Sequence, residues 1–206
     1  MGSTSSGMNI IITGVGGQGN VLAARLLASA AMKAGYDVLV SELYGSAQRG
    51  GPVISYIKIR RGRVLAPLIM RGTAQAAISL EIGEILRRIE YIAPGALMVI
   101  NDYALPSSEV LTSGAHYPTR EEVYEILRPI SSNVYFIPAT EIAVKELGSA
   151  RVANVLMLGA FIQLSKLDIS DELMLETLEE NIPARYIELN KRAYFKGKEI
   201  ASSLIK

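Results

Sequence analysis

The sequence contains no cysteine and a single histidine, His116. Without cysteine the chain forms no disulfide, offers no thiol nucleophile and cannot hold an iron–sulfur cluster by thiolates. A zinc site or a serine–histidine–aspartate triad would have to be built around His116 alone, and this residue lies in a polar stretch between Gly114 and Pro118. The sequence therefore predicts a surface histidine, no metal site and no catalytic residue on this chain alone.

The sequence also lacks an excess of charge of one sign and lacks long apolar runs. The formal net charge is +1 over 206 residues, so bulk charge predicts neither nucleic acid nor an anionic membrane as a partner. No run approaches the roughly 20 apolar residues that a membrane span needs, and we expect no signal peptide. We therefore expect a cytoplasmic protein. Residues 1–7 have the composition of an expression scar, and residues 8–206 suffice for a single well-cored domain.

A glycine-rich run occupies residues 14–19, between an apolar stretch at residues 9–13 and an apolar helical pattern at residues 20–33. This order predicts a strand, a glycine turn and a helix. Backbone N–H groups at a helix N-terminus favour negative charge, so the turn is a candidate seat for a phosphate or carboxylate. The alternative is that the glycines only allow tight strand–helix packing. The pattern alone also leaves dinucleotide binding open.

A second glycine-rich motif follows the predicted second strand at residues 37–41, and it reads Ser41-Glu42-Leu43-Tyr44-Gly45-Ser46-Ala47-Gln48-Arg49-Gly50-Gly51. Glu42 ends the strand, where a dinucleotide-binding domain places an acid on a ribose hydroxyl. It lies further from Gly14, however, than the usual spacing of roughly 20 residues. Arg49 stands beside two conformationally free glycines, so the loop can approach a partner's active site or clamp a carboxylate. The other interpretation is a surface turn before a strand.

The rest of the pattern alternates strands and helices. We expect a right-handed crossover from the first strand to a parallel neighbour at residues 37–41. Residues 52–59 and 64–69 predict a β-hairpin with a basic tip, Arg60-Arg61-Gly62-Arg63, which is either solvated or in contact with an anionic partner. Further predictions are strands at residues 75–80, 97–101 and 134–137, a turn at 93–96, and helices at 81–91, 120–127, 152–164, 171–180 and from Pro183 to about Phe195. The sequence thus predicts an α/β, Rossmann-like domain with a mostly parallel sheet, a β-hairpin insertion and a helical C-terminal part.

Residues 152–164 are strongly apolar but include the small residues Ala153, Gly159 and Ala160, which let another backbone approach closely. Asn154 is the polar residue of this segment, and a buried amide must find hydrogen-bond partners. It is therefore predicted to be a satisfied core amide, a tie to a neighbouring loop or a ligand contact.

Four segments carry a resemblance to a known family. They are Gly14-Val15-Gly16-Gly17-Gln18-Gly19, the run from Ser41 to Gly51, Asn154 with Leu158-Gly159-Ala160, and Asn190 with Ala193-Tyr194-Phe195-Lys196-Gly197. With these segments the chain resembles the gamma-type subunit of 2-oxoacid:ferredoxin oxidoreductases, closest to the indolepyruvate ferredoxin oxidoreductase beta subunit. The resemblance covers the chain from Met8 onward.

The resemblance implies an α/β domain that assembles with a larger catalytic subunit. That subunit would carry thiamine diphosphate and magnesium, with iron–sulfur clusters on partner chains. Such complexes oxidatively decarboxylate a 2-oxoacid to an acyl-CoA and reduce ferredoxin. By this resemblance the chain is inactive alone, binds none of these cofactors alone and lines the substrate or coenzyme A channel. The implied site residues are Gly14, Gly16, Gly17, Gln18, Gly19, Arg25, Glu42, Gln48, Arg49, Gly50, Gly51 and Asn154.

Three questions stay open at this point. The first is whether the chain is instead a free-standing nucleotide-dependent dehydrogenase or a non-catalytic interaction subunit. The second is which 2-oxoacid is used, because substrate shape would be set largely in the partner. The third is the oligomeric state of the isolated chain, for which a homodimer remains an option.

Overall fold

The computed structural model describes residues 7–45, 50–106, 108–114 and 116–205. A six-stranded sheet with strand order β2-β3-β1-β4-β5-β6 forms the centre of the fold. Its strands are β1 (Gly7–Val15), β2 (Asp37–Tyr44), β3 (Pro52–Arg60), β4 (Ala74–Ser79), β5 (Ile92–Asn101) and β6 (Val134–Ile137). The helices are α1 (Asn20–Lys33), α2 (Ser108–Ser113), α3 (Arg120–Leu127), α4 (Ala139–Leu147), α5 (Ala153–Leu164), α6 (Asp171–Asn181) and α7 (Ile187–Leu204). Within these described ranges, no helix has the length and apolar character required to cross a membrane.

The sheet is covered on both faces, and its central strand is accordingly apolar on both sides. Ile10 and Ile12 of β1 point into a first core, which also contains buried residues of α1, α4, α5, α6 and α7. Ile11 points into a second core on the opposite face, where α3 and the segment around the 3-10 turn Leu86–Tyr91 pack. Strands buried on both faces read as continuous hydrophobic runs, which is the pattern of residues 10–12.

Several predicted helices have the predicted bounds or nearly so. Helix α1 spans Asn20–Lys33, and Gly35 with φ 82° follows its end. Helix α3 begins after Thr119, whose side chain forms a capping box with Glu122. Helix α6 is capped by the Ser170 side chain, which accepts from the N–H of Leu173. These helix ends can be predicted from sequence because N-cap side chains and a glycine after the last turn act on backbone groups within one turn of the helix.

The prediction that β2 is a parallel neighbour of β1 is wrong. Strand β3 lies between them and pairs antiparallel with both, whereas β1 pairs parallel with β4. The connection from β2 to β3 is short, so β3 folds back as a hairpin partner instead of leaving room for β1. Strand β3 is buried on both faces, which suits this inner position.

The predicted hairpin between residues 52–59 and 64–69 is wrong for the same reason. The hairpin is formed by β2 and β3, and residues 64–69 form no strand. Pro67 cannot donate to a strand ladder. The basic tip is instead the end of β3 and the turn after it, where Arg61 stacks on the Tyr36 ring at 4.0 Å and pairs with Asp168 at 3.0 Å.

Other boundaries also differ from the predictions. Residues 81–91 form turns and the 3-10 turn Leu86–Tyr91 in place of a regular helix, because the Glu81 carboxylate accepts the N–H groups of Gly83 and Glu84 and stabilises a turn there. Residues 93–96 lie within β5, at a register shift against β4. Helices α2 and α4 were not predicted, and α7 continues beyond Phe195 to Leu204.

Candidate functional site

The glycine loop joins the carboxyl end of β1 to the first turn of α1. Gly17 and Gly19 have φ values of 106° and 85°, a region that favours glycine. Gly19 is the N-cap residue, no side chain caps the helix, and the first turn contains no acidic residue. The N–H groups at this end of α1 are therefore free of a side-chain cap and favour an anion.

Two of the predicted site residues hold this loop in place. The Gln18 side chain accepts from the N–H of Val15 at 2.8 Å and donates to the carbonyl of Leu80 at 3.0 Å. Asn154 is 3% exposed and donates to the Gly19 carbonyl at 3.3 Å, which is the loop tie that its position suggested. Gln18 and Asn154 thus connect the glycine loop to β4 and to α5, and their side-chain groups are used in doing so.

The two glycine-rich motifs meet in space. The N–H of Gly16 donates to the Gly51 carbonyl at 2.8 Å, and the N–H of Gly50 donates to the Gly16 carbonyl at 3.4 Å. On the other side of the second motif, the N–H of Gly45 donates to the Pro52 carbonyl at 3.0 Å. Gln48 and Arg49 lie outside the described residues.

A first cleft of about 450 Å³ opens between these motifs. It is lined by Val15, Gly16, Gly17, Gly19, Asn20, Val21, Leu22, Arg25, Tyr44 and Val53. The hydroxyl of Tyr44 donates to Glu42, and this hydrogen bond raises the pKa of Tyr44, while the charge of Arg25 acts in the opposite direction. Arg25 and Glu42, which were predicted from separate motifs, thus act on the same tyrosine at the mouth of this cleft.

Asn20 contributes a buried polar atom beside the first cleft. Asn20 is 3% exposed, and its Nδ2 donates to the Val53 carbonyl at 3.3 Å. Its Oδ1 accepts no hydrogen bond within the described part of the chain. A Cβ on Gly14 would lie 2.7 Å from this oxygen and 2.8 Å from Oε1 of Gln18, so a larger residue at position 14 would displace these two side chains.

A second cleft of about 290 Å³ lies on the other side of the glycine loop, at the carboxyl ends of β4 and β5. Asn101 organises its floor by donating to the Leu80 carbonyl at 3.0 Å and to the Thr140 hydroxyl at 2.8 Å. Tyr103 and Arg151 also line it. Sequence reasoning missed Asn101, Tyr103, Thr140 and Arg151 as site candidates. Only the position of Asn101 at the end of a predicted strand could have indicated it.

The lone histidine lies on the surface, as predicted. His116 Nε2 is 2.9 Å from a carboxylate oxygen of Glu122, and the His116 side chain is 72% exposed. The Thr119 N–H and then His116 hold the pKa of Glu122 below its ordinary value. Across the described residues, no group of three histidine, aspartate or glutamate side chains is placed to hold a metal ion.

Comparison with known proteins relates the whole fold to one family. Residues 9–200 match the family described as Pyruvate ferredoxin/flavodoxin oxidoreductase. The chain is 34% identical over 197 residues to the indolepyruvate oxidoreductase subunit IorB of Thermococcus kodakarensis, covering 96% of this chain and 97% of that protein.

Solved structures share the fold. The gamma subunit of a keto/oxoacid ferredoxin oxidoreductase from Geobacter sulfurreducens superposes with a TM-score of 0.69 at 24% identity, covering 95% of this chain and 99% of that one. The 2-oxoglutarate:ferredoxin oxidoreductase from Magnetococcus marinus, solved with 2-oxoglutarate, coenzyme A and succinyl-CoA bound, superposes with a TM-score of 0.74 at 22% identity. That match covers 97% of this chain but 32% of the Magnetococcus chain, so the fold there is one part of a longer polypeptide.

Proposed function

The chain belongs to the pyruvate ferredoxin/flavodoxin oxidoreductase family, and we propose that it is the small, gamma-type subunit of a thiamine-dependent 2-oxoacid:ferredoxin oxidoreductase. Indolepyruvate is the proposed 2-oxoacid, since the relative that is 34% identical is named an indolepyruvate oxidoreductase subunit. The larger partner subunit holds thiamine diphosphate and magnesium, which supply the decarboxylation chemistry, and iron–sulfur clusters on partner chains pass electrons to ferredoxin.

We further propose that the first cleft receives phosphate groups of coenzyme A at the subunit boundary. The observation that carries this proposal is the meeting of the two glycine motifs at the uncapped N-terminus of α1, with Arg25 at the cleft. Backbone N–H groups and a guanidinium bind phosphate through directed, charge-assisted hydrogen bonds. The glycines keep the approach sterically open, and Gln18 and Asn154 keep the loop in one conformation. The role of this chain is thus to position an anionic co-substrate and to stabilise its charge.

The geometry gives less support to a free-standing dinucleotide-dependent dehydrogenase. In a dinucleotide-binding domain, the acid that binds the ribose follows the strand beside the glycine loop. Here β3 separates β2 from β1, and the carboxylate of Glu42 accepts a hydrogen bond from Tyr44. Binding of NADH to the isolated chain, measured by calorimetry, would restore the dehydrogenase interpretation.

The proposal predicts that Arg25→Ala and Arg49→Ala affect coenzyme A more than the 2-oxoacid. In the reconstituted complex we expect each variant to lower kcat/KM for coenzyme A by roughly 10- to 1000-fold, the order seen when one charge-stabilising donor is lost. The KM for the 2-oxoacid should change little. Arg49→Lys should recover only part of the activity, because lysine keeps the charge but lacks the planar fork.

Arg192→Ala is the matched control, because Arg192 is also an exposed helix arginine and forms no ion pair within the described ranges. It should leave kcat/KM for both substrates unchanged. If Arg25→Ala and Arg49→Ala behave like this control, the first cleft is not the coenzyme A site. If either variant prevents assembly with the larger subunit, that arginine belongs to the interface instead.

A further inference from the structure

A strongly apolar segment, residues 64–70, is exposed to solvent between the end of β3 and the start of β4. Leu65 is 84% exposed, Leu68 60% and Met70 74%. Only Ile69 of this segment is buried, at 4% exposure. Isolated apolar side chains are common on protein surfaces, but three large ones within six residues form a contiguous patch of the kind that marks an interaction site.

The segment lies on the same face of the sheet as the second core. Ile69 belongs to that core, and the N–H of Val64 donates to Asp37 of the edge strand β2 at 2.7 Å. Leu43 of β2 pairs in register with Ile54, another member of the second core, so Leu43 points to this face as well. Leu39 lies four residues before Leu43 on the same strand and shares its face. We call Leu39, Leu43 and residues 64–70 the outer patch.

No helix of the described chain covers the outer patch. Helix α3 and the 3-10 turn Leu86–Tyr91 contribute to the second core, and the Tyr91 ring packs on Tyr56 of β3 at 5.3 Å. Neither core includes Leu39 or Leu43, and Leu43 is 50% exposed. The face is therefore covered near the centre of the sheet and open at the β2 edge.

The charges around the outer patch indicate the chemistry of its partner. Arg63 and Arg71 bracket the segment, are exposed and form no ion pair with any residue in the described ranges. Lys58 pairs in register with Leu39 and adds a third cation to this face. Nearby, the Asp37 carboxylate accepts the N–H of Val64, and the backbone carbonyl of Glu90 accepts the N–H of Gly72, a contact that does not involve the Glu90 carboxylate. Two copies of this chain packed patch to patch would bring these cations together, so charge disfavours a symmetric dimer.

We propose that the outer patch is the docking surface for the larger subunit of the complex, which meets it with an apolar centre and carboxylates at the rim. This inference rests on the proposed function. Tyr44, the residue after Leu43, points to the opposite face of the sheet, where it lines the first cleft and is 54% exposed. The outer patch and the first cleft thus lie on opposite faces of the sheet at the β2 side.

Introducing a negative charge into the apolar patch tests the docking surface. We expect Leu65→Glu, Leu68→Glu and Met70→Glu to fold normally, since all three side chains are exposed, and to lower retention of the co-expressed larger subunit at least about tenfold, as for central interface residues. Met32→Glu is the matched control: Met32 is 61% exposed, but it belongs to α1, on the opposite face of the sheet. Retention of the larger subunit by this control should equal that of the unmodified chain. Raising the salt concentration should weaken assembly of the unmodified complex, because the rim contacts are ionic.

Hydrogen exchange gives a second readout that does not depend on variants. In the complex, amides of β2 and of residues 64–70 should exchange at least about tenfold more slowly than in the free chain, while those of α6 and α7 should not change. The docking inference is overturned if the complex assembles but the three variants and the exchange pattern are unaffected, and the proposed function then stands. If the unmodified chain assembles with no 2-oxoacid oxidoreductase subunit, the proposed function itself fails. A homodimer that Leu65→Glu converts to a monomer would show that a second copy occupies the patch.

Discussion

Glu84 is a buried carboxyl group in the turn that follows β4. It is 4% exposed, and its charged neighbour Arg87 approaches with Nε at 3.2 Å. Burial raises the pKa of Glu84 to about 7, the charge of Arg87 opposes this shift, and the negative charge of Glu81 adds to it. The chain therefore holds an acid that is protonated in the folded state at mildly acidic pH.

Glu84 should make the protein less stable as the pH rises. Because the folded-state pKa of about 7 lies above the ordinary value of 4.5, the folded chain binds more protons than the unfolded chain between these values. The free energy of unfolding therefore falls as the pH rises through this window. We expect Glu84→Gln to raise the free energy of unfolding at pH 8 by up to about 3 kcal/mol and to have little effect at pH 4, as measured by denaturant titration.

Glu125→Gln is the control for Glu84→Gln. Glu125 is exposed and pairs with Arg128 at 2.7 Å on the surface of α3. Exposed pairs contribute little, so this variant should change stability by less than about 1 kcal/mol at both pH values. An effect of Glu84→Gln that is the same at pH 4 and pH 8 would contradict the shifted pKa.

At the residue scale, the site was predictable where chemistry is local and unpredictable where it depends on distant strands. The glycine turn and the uncapped start of α1 follow from residue type and spacing, whereas Asn154 could be predicted only to need a partner, since the Gly19 carbonyl lies 135 residues away. The role of Gln18 does not follow from them either, because its partner, the Leu80 carbonyl, lies far along the sequence and reaches the loop only through the parallel pairing of β1 and β4. Asn101 and Arg151 were missed for the same reason.

At the element scale, the positions of the strands were easier to predict than which strands pair with one another. Residues that favour β3 are present in the sequence, but their pattern fits either a hairpin with residues 64–69 or one with β2. The antiparallel pairing of β3 with β2 excludes residues 64–69 from the hairpin, and Leu65, Leu68 and Met70 remain exposed. The Glu81 turn shows a similar limit, since a buried carboxylate replaces helical hydrogen bonds in a segment with helical periodicity.

The small residues of α5 predicted that another backbone could approach closely, the structure identifies α7 as that backbone, and the contact yields a direct test. A Cβ on Gly159 would lie 2.0 Å from the Tyr194 carbonyl oxygen, and one on Gly197 would lie 1.9 Å from that of Leu156. Both contacts are with backbone, so the helices must separate. We expect Gly159→Ala and Gly197→Ala each to lower the free energy of unfolding by about 3 kcal/mol or more, as measured by chemical denaturation.

Gly62→Ala is the matched control for these two variants. No atom lies within 4 Å of a Cβ at Gly62, and its φ is outside the left-handed region. Its effect should be neutral or stabilising by about 0.4–1 kcal/mol, because alanine reduces the entropy of the unfolded chain. If all three variants behave alike, the close approach of α5 and α7 is incorrect.

At the scale of the whole molecule, the proposed function makes this chain a binding scaffold and assigns the redox chemistry to other chains. Its clefts lie around a glycine loop at one edge of the sheet, and a large apolar surface is open at the β2 side. The sequence has no cysteine for an iron–sulfur cluster. These features agree with a subunit whose activity depends on assembly.

The isolated chain should therefore be inactive and should bind neither iron nor magnesium–thiamine diphosphate. We expect no reduction of a redox dye with indolepyruvate, pyruvate or 2-oxoglutarate, no iron by metal analysis, and turnover only after the larger subunit is added.

Thermal unfolding offers an independent check, because a ligand at 100 times its dissociation constant raises the free energy of unfolding by about 2.7 kcal/mol. Magnesium–thiamine diphosphate should leave the melting temperature of the isolated chain unchanged and should raise that of the assembled complex. Turnover by the chain alone, or a thermal shift of the chain alone, would mean that it contains a complete thiamine site and would overturn its assignment as a dependent subunit.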